Sequence, residues 1–116
     1  MDKHLKMYIL VNEDIKINSG KLGGQTGHTV ASFFYRRWKA NNDTDIDEYM
    51  KEQTKIILFA KQNVLEILEV MGYITIRDNG KTDLPPDTLT CVNLGIVDVN
   101  NIPEHLEFIK TLKLVR

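Results

Sequence analysis

The sequence predicts an α/β fold: a mixed four-stranded sheet covered by helices on both faces, a three-layer α/β/α sandwich formed as a single domain over residues 1–116. Three observations predict it. Four short runs rich in β-branched and aromatic residues alternate with longer stretches of helical spacing. Those runs are apolar almost continuously instead of at every second position, as strands buried on both faces are. Finally, the third and fourth runs are joined by only about a dozen residues without helical pattern, too few for a helical crossover, so that pair is antiparallel and the sheet mixed.

The elements follow in order. Residues 7–11, MYILV, form a strand ended by Asn12, Glu13 and Asp14. A long helix is expected over residues 20–39 and a short one over 45–51, with Thr44 as its N-cap. KIILFA, residues 55–60, is the second strand. Val64, Leu65, Ile67, Leu68 and Met71 recur at helical spacing, and Gly72 is placed to end that helix. YITI, residues 73–76, and LTCVNLGIV, residues 89–97, are the remaining strands. Pro103 suits the first position of a last helix carrying Leu106 and Ile109.

Composition narrows the function classes. A chain of 116 residues buries roughly two-thirds of its unfolded surface and needs no disulfide or metal staple. Cys91 is the only cysteine, which excludes an internal disulfide and fits a reducing compartment, so a cytoplasmic protein is expected. No apolar run approaches the roughly 20 residues that span a bilayer, and residues 1–6 carry no signal-like apolar region; neither export nor membrane insertion is expected. The net charge of −1 announces no polyanion partner. Basic residues nevertheless cluster at Lys3, His4 and Lys6, at Arg36, Arg37 and Lys39, and at Lys110, Lys113 and Arg116, around an acidic stretch over residues 43–52. Any polyanion site is therefore a patch.

Chemistry concentrates in two segments. On the long helix Lys21, Gln25, His28, Ser32 and Tyr35 follow one another at steps of four, three, four and three, a single polar stripe, whereas Gly27, Val30, Ala31, Phe34 and Trp38 form the expected core-facing band. An ordinary solvated helix face is the alternative. Gly20, Gly23 and Gly24 shift the balance, because interior glycines cost a helix roughly 1 kcal/mol each relative to alanine, so something requires bare backbone there. Either an anionic ligand approaches the helix N-terminus beside Lys21, or the helix packs closely on the sheet. The second segment is the stiff polar loop RDNGKTDLPPDT, residues 77–88. Its Asp78 and Thr82 either serve a site or cap a turn.

Taken together, the segments resemble a known family. GKLGGQTGH, residues 20–28, follows a strand and an acidic turn as does the GK-x-x-x-Q-x-x-H signature of the second type of peptidyl-tRNA hydrolase. RDNGKT, residues 77–82, resembles that family's RDAGRT loop, and TCVNLGI with the later LKL resembles its last strand and tail. The resemblance runs in order through nearly the whole chain. It implies a three-layer sandwich, often dimeric, that hydrolyses the ester joining a peptide to the 3′ end of tRNA without metal or organic cofactor. The partner implied is tRNA carrying an acyl or peptidyl group. Carried over, the resemblance assigns His28, Asp78, Lys21 and Thr82 to catalysis, and Gln25, Gly20 and Lys81 to substrate binding. His28 would activate or position water with Asp78 orienting it, Lys21 would neutralise a phosphate or oxyanion, and Thr82 would hydrogen-bond substrate.

The chain also departs from the family pattern. Phe59 stands where a second strand lysine is usual, Lys81 replaces an arginine, and Asp83 replaces a glutamine, adding negative charge where a tRNA end would lie. Two function classes therefore follow: the hydrolase, and a non-catalytic module of the same fold binding RNA, a nucleotide or a protein. Elsewhere, Cys91 in a strand pattern reads as a small buried hydrophobe. In FFYRRW, residues 33–38, aromatics are interleaved with two arginines as in RNA-stacking surfaces, but core packing of Phe34 and Trp38 is the expected role.

Overall fold

A computed structural model describes residues 2–79 and 84–116. Its elements are strand β1 (Leu5–Asn12), helices α1 (Ser19–Lys39) and α2 (Ile46–Met50), strand β2 (Lys55–Ala60), helix α3 (Gln62–Val70), strands β3 (Ile74–Arg77) and β4 (Leu89–Asp98), and a closing 3-10 helix (Glu104–Thr111). The sheet order is β2-β1-β4-β3. β1 is parallel to β2 and antiparallel to β4, which is antiparallel to β3. β1, β2 and β3 therefore run in one direction, and their C-terminal ends share an edge of the sheet. α1 and the loop after β3 both leave from that edge, the usual location of ligand sites in α/β proteins.

Alternation along β1 divides the core. Met7, Ile9 and Val11 face one cluster with Phe33 of α1 and Tyr49 of α2, while Leu10 faces another with Leu65 and Leu68 of α3 and Leu106 and Ile109 of the 3-10 helix. Helices thus cover both faces, as the continuous apolar runs predict.

Three local expectations are corrected. Thr44 does not cap α2; the cap position is Asp45, held at φ 63° and making no side-chain cap bond. Pro103 lies just outside a 3-10 helix instead of opening an α-helix. The buried face of α1 carries Thr26, Thr29 and Phe33, with Val30 and Phe34 half-buried, whereas Gly27, Ala31 and Trp38 are exposed. Threonines can fill this face because their hydroxyls bond back into the helix, Thr26 Oγ1 to the Gly23 carbonyl at 3.0 Å and Thr29 Oγ1 to the Thr26 carbonyl at 2.7 Å.

One contact sets how α1 sits on the sheet. Gly95 lies next to the register shift between β1 and β4, at φ 82°, and a Cβ there would stand 2.8 Å from Phe33 Cε2. Asn93, fully buried, accepts from Gly95 N at 2.7 Å and donates to Thr29 Oγ1 at 3.3 Å. Only glycine satisfies both the left-handed backbone and the ring above it. Gly95→Ala is expected to cost at least about 2 kcal/mol of stability in urea unfolding, from left-handed strain plus the clash. Phe33→Leu in the same chain should recover part of that loss, and a Gly95→Ala protein of wild-type stability would contradict this seating.

Candidate functional site

The site is built where α1 begins. Asn18 caps the helix, its side-chain oxygen accepting from Lys21 N at 2.8 Å and its carbonyl from Leu22 N at 2.9 Å. The first turn contains no acidic residue, so the positive end of the helix dipole is unopposed from within the helix. The anion comes from elsewhere. Lys21 Nζ meets Asp78 Oδ2 at 2.6 Å, with the two side chains only 14% and 2% exposed. The remaining ammonium protons of Lys21 meet no acceptor among the described residues. Two segments distant in the chain thus form one charged unit at the sheet edge.

Asp78 is held by its own backbone, which donates to the Thr88 carbonyl at 2.8 Å and accepts from Asp87 N at 2.7 Å, closing the base of the loop. Arg77 braces it from behind. Its guanidinium takes Glu69 of α3 in a fork, Nε to Oε2 at 2.9 Å and Nη2 to Oε1 at 2.6 Å, while Nη1 donates to the Asp87 carbonyl at 2.6 Å. Thr75 adds a third bond to Glu69. The pairing of Glu69 with Arg77 is not legible in the sequence because it depends on how the chain returns from α3 into β3, which no local pattern encodes.

From this end α1 runs antiparallel to β3. At the far end Arg36 Nη1 donates to the Gly72 carbonyl at 2.6 Å, just before β3 begins. Between the two ends lies a groove of about 940 Å³ lined by His28, Ser32, Tyr35, Arg36, Lys39 and Ile74 among others. His28 is exposed and sits seven residues beyond Lys21, about 10 Å further along the axis at 1.5 Å per residue. The structure therefore joins Lys21 and Asp78 directly and places His28 two turns along the same stripe. Gln25 lies half-buried between them, its carbonyl 3.6 Å from Cys91 Sγ, and Gly20 is exposed in the first turn. Thr82 and Lys81, with Gly80 and Asp83, lie outside the described residues.

The glycines of α1 have a clear physical setting. A methyl group at Gly23, Gly24 or Gly27 would meet nothing within 4 Å, so close packing on the sheet does not explain them; they leave open space beside the stripe. Cys91 is fully buried, and burial pushes its thiol up to about 11, as fits a small hydrophobe and not a nucleophile. Phe59 packs against the α1-side core cluster.

A family model described as Peptidyl-tRNA hydrolase PTH2 matches residues 5–115. Among similar proteins, the peptidyl-tRNA hydrolase of Thermoplasma acidophilum is 34% identical over 99 residues, covering 78% of this chain and 83% of its own. That of Staphylothermus marinus is 32% identical over 97 residues, covering 78% and 80%, and that of Methanopyrus kandleri 32% over 98 residues, covering 78% and 83%.

The brace behind Asp78 has a pH signature. The hydrogen bond from Arg77, against the opposing effect of burial, holds the Glu69 carboxyl below its ordinary value of 4.5. A depressed carboxyl contributes stability that is complete above 4.5 and fades as pH falls through the lower folded value. Glu69→Gln should therefore lower stability by about 1 kcal/mol at neutral pH, the scale of a bidentate but partly exposed pair. In thermal unfolding at strongly acidic pH the difference from wild type should close; a gap unchanged by acid would show that the brace is not ionic.

Proposed function

Because the chain belongs to the peptidyl-tRNA hydrolase PTH2 family, we propose that it hydrolyses the ester between a peptide, or a blocked aminoacyl group, and the 3′ end of tRNA. The observation that carries this reading is the buried Lys21–Asp78 pair at the start of the helix stripe that carries His28 two turns further on, with open helix backbone at Gly23, Gly24 and Gly27. Hydrolysis needs a donor where negative charge develops on the carbonyl oxygen, a base to take a proton from water, and a proton for the departing ribose oxygen. Lys21 supplies the donor: Asp78 fixes its ammonium, and the protons left over are directed at the oxyanion. Water attacks the carbonyl carbon as His28 takes its proton; collapse breaks the ester bond, and His28 returns the proton to the ribose oxygen. Asp78 acts through Lys21 as a positioning residue.

Thr82 has the role of hydrogen-bonding the substrate, and Gln25, Gly20 and Lys81 that of binding it. Lys21 is already neutralised by Asp78, so its part is local stabilisation of charge and not attraction of the tRNA backbone. The reaction belongs in the cytoplasm, where acylated tRNA is used, and no helix among the described residues is long and apolar enough to cross a membrane. The competing reading is a binding module of the same fold, favoured by Phe59, whose ring joins the apolar cluster where a second cation would otherwise reach the site.

Hydrolysis of an N-acetylated aminoacyl-tRNA separates the two. Wild type should turn over, and His28→Ala should lose roughly 10²–10⁴-fold in kcat, the usual range for a general base. Binding of the tRNA without turnover by wild type would favour the module.

A further inference from the structure

The stretch FFYRRW leaves a feature the reaction does not use. Trp38 is 73% exposed and Tyr35 60%, their rings tilted at 41° with centroids 5.9 Å apart, so the two form an aromatic platform in solvent instead of core. Tyr35 also lines the groove that begins at His28. Among the described residues, every ionisable group lining that groove is basic, histidine or tyrosine: Arg36 and Lys39 stand at its far end and no carboxylate borders it. Arg36 is anchored by the Gly72 carbonyl, which fixes its charge in place. His28 and Lys39 are eleven residues apart, about 16 Å along the helix, the length of a short run of nucleotides.

We propose that this groove seats the unpaired nucleotides preceding the acylated ribose, with Tyr35 and Trp38 stacking on bases and Arg36 and Lys39 meeting phosphates. The inference rests on the proposed activity and assigns the subsite that activity requires. Single-stranded nucleic acid fits because its bases present free π-faces and its backbone is anionic, and stacking platforms within basic grooves are how proteins hold such strands. The groove runs directly from His28, so a strand lying in it delivers its 3′ end to the proposed base.

Trp38 is the only tryptophan, which makes its emission a local reporter. Titration with a short single-stranded RNA ending in unpaired cytidines and adenosine should quench it saturably, with the apparent Kd raised about tenfold in Tyr35→Ala and in Lys39→Ala. Both side chains are exposed, so these variants should fold. On N-acetylated aminoacyl-tRNA the same variants should raise KM about tenfold and change kcat less than twofold. RNA quenching without hydrolysis would sustain the groove assignment and defeat the proposed activity. Hydrolysis with wild-type KM in both variants would do the reverse. Equal quenching by polyglutamate, or an emission change with protein concentration alone accompanied by dimer formation in sedimentation, would overturn the proposal in favour of a protein occupant.

Discussion

The ion pair between Lys21 and Asp78 is the constraint on which the site depends. It ties the first turn of α1 to the end of β3 at 2.6 Å in a place almost shut off from water. Two charges so enclosed are each costly to bury, and only their mutual attraction with further hydrogen bonds makes the arrangement tolerable. The protein meets that demand from both sides. Asn18 caps the turn that carries Lys21, while the closed loop base and the Glu69–Arg77 brace hold Asp78 in register. A fixed ammonium with protons to spare follows, the preorganisation on which the proposed reaction would draw.

That pair forms only because α1 is seated in one rotation on the sheet. Phe33 over Gly95 and Thr29 against buried Asn93 lock the helix from below, so Lys21, Gln25, His28 and Ser32 emerge along the side facing β3. The helix is thereby both a layer of the core and one wall of a groove. Its far end carries Tyr35 and Trp38 in solvent, where a purely structural helix would have polar side chains.

Strand positions, sheet mixing and the polar stripe were legible because period and apolar run length report directly on burial. Asp78 and Lys21 were individually visible as unusual polar residues near glycines and turns. What remained hidden depended on three-dimensional register. The exposure of Trp38 is not legible because helical spacing identifies a stripe but not the rotation with which it meets the sheet. In fact, threonines satisfied by their own helix took the buried positions. The close-packing role weighed for the α1 glycines failed for the same reason, since open space above a helix leaves no trace in sequence. The left-handed cap at Asp45 and the fork between Glu69 and Arg77 likewise arise from chain paths that local composition does not specify.

A double-mutant cycle on Lys21→Met and Asp78→Leu, read by equilibrium unfolding, tests most directly whether the two side chains act as one unit. Each single replacement should destabilise by about 3 kcal/mol or more by removing one partner of a buried ion pair, and the double replacement by no more than either, since buried pairs exchange for apolar groups at little net cost. Losses that simply add, to within about 0.5 kcal/mol, would mean the residues act independently and would contradict the account.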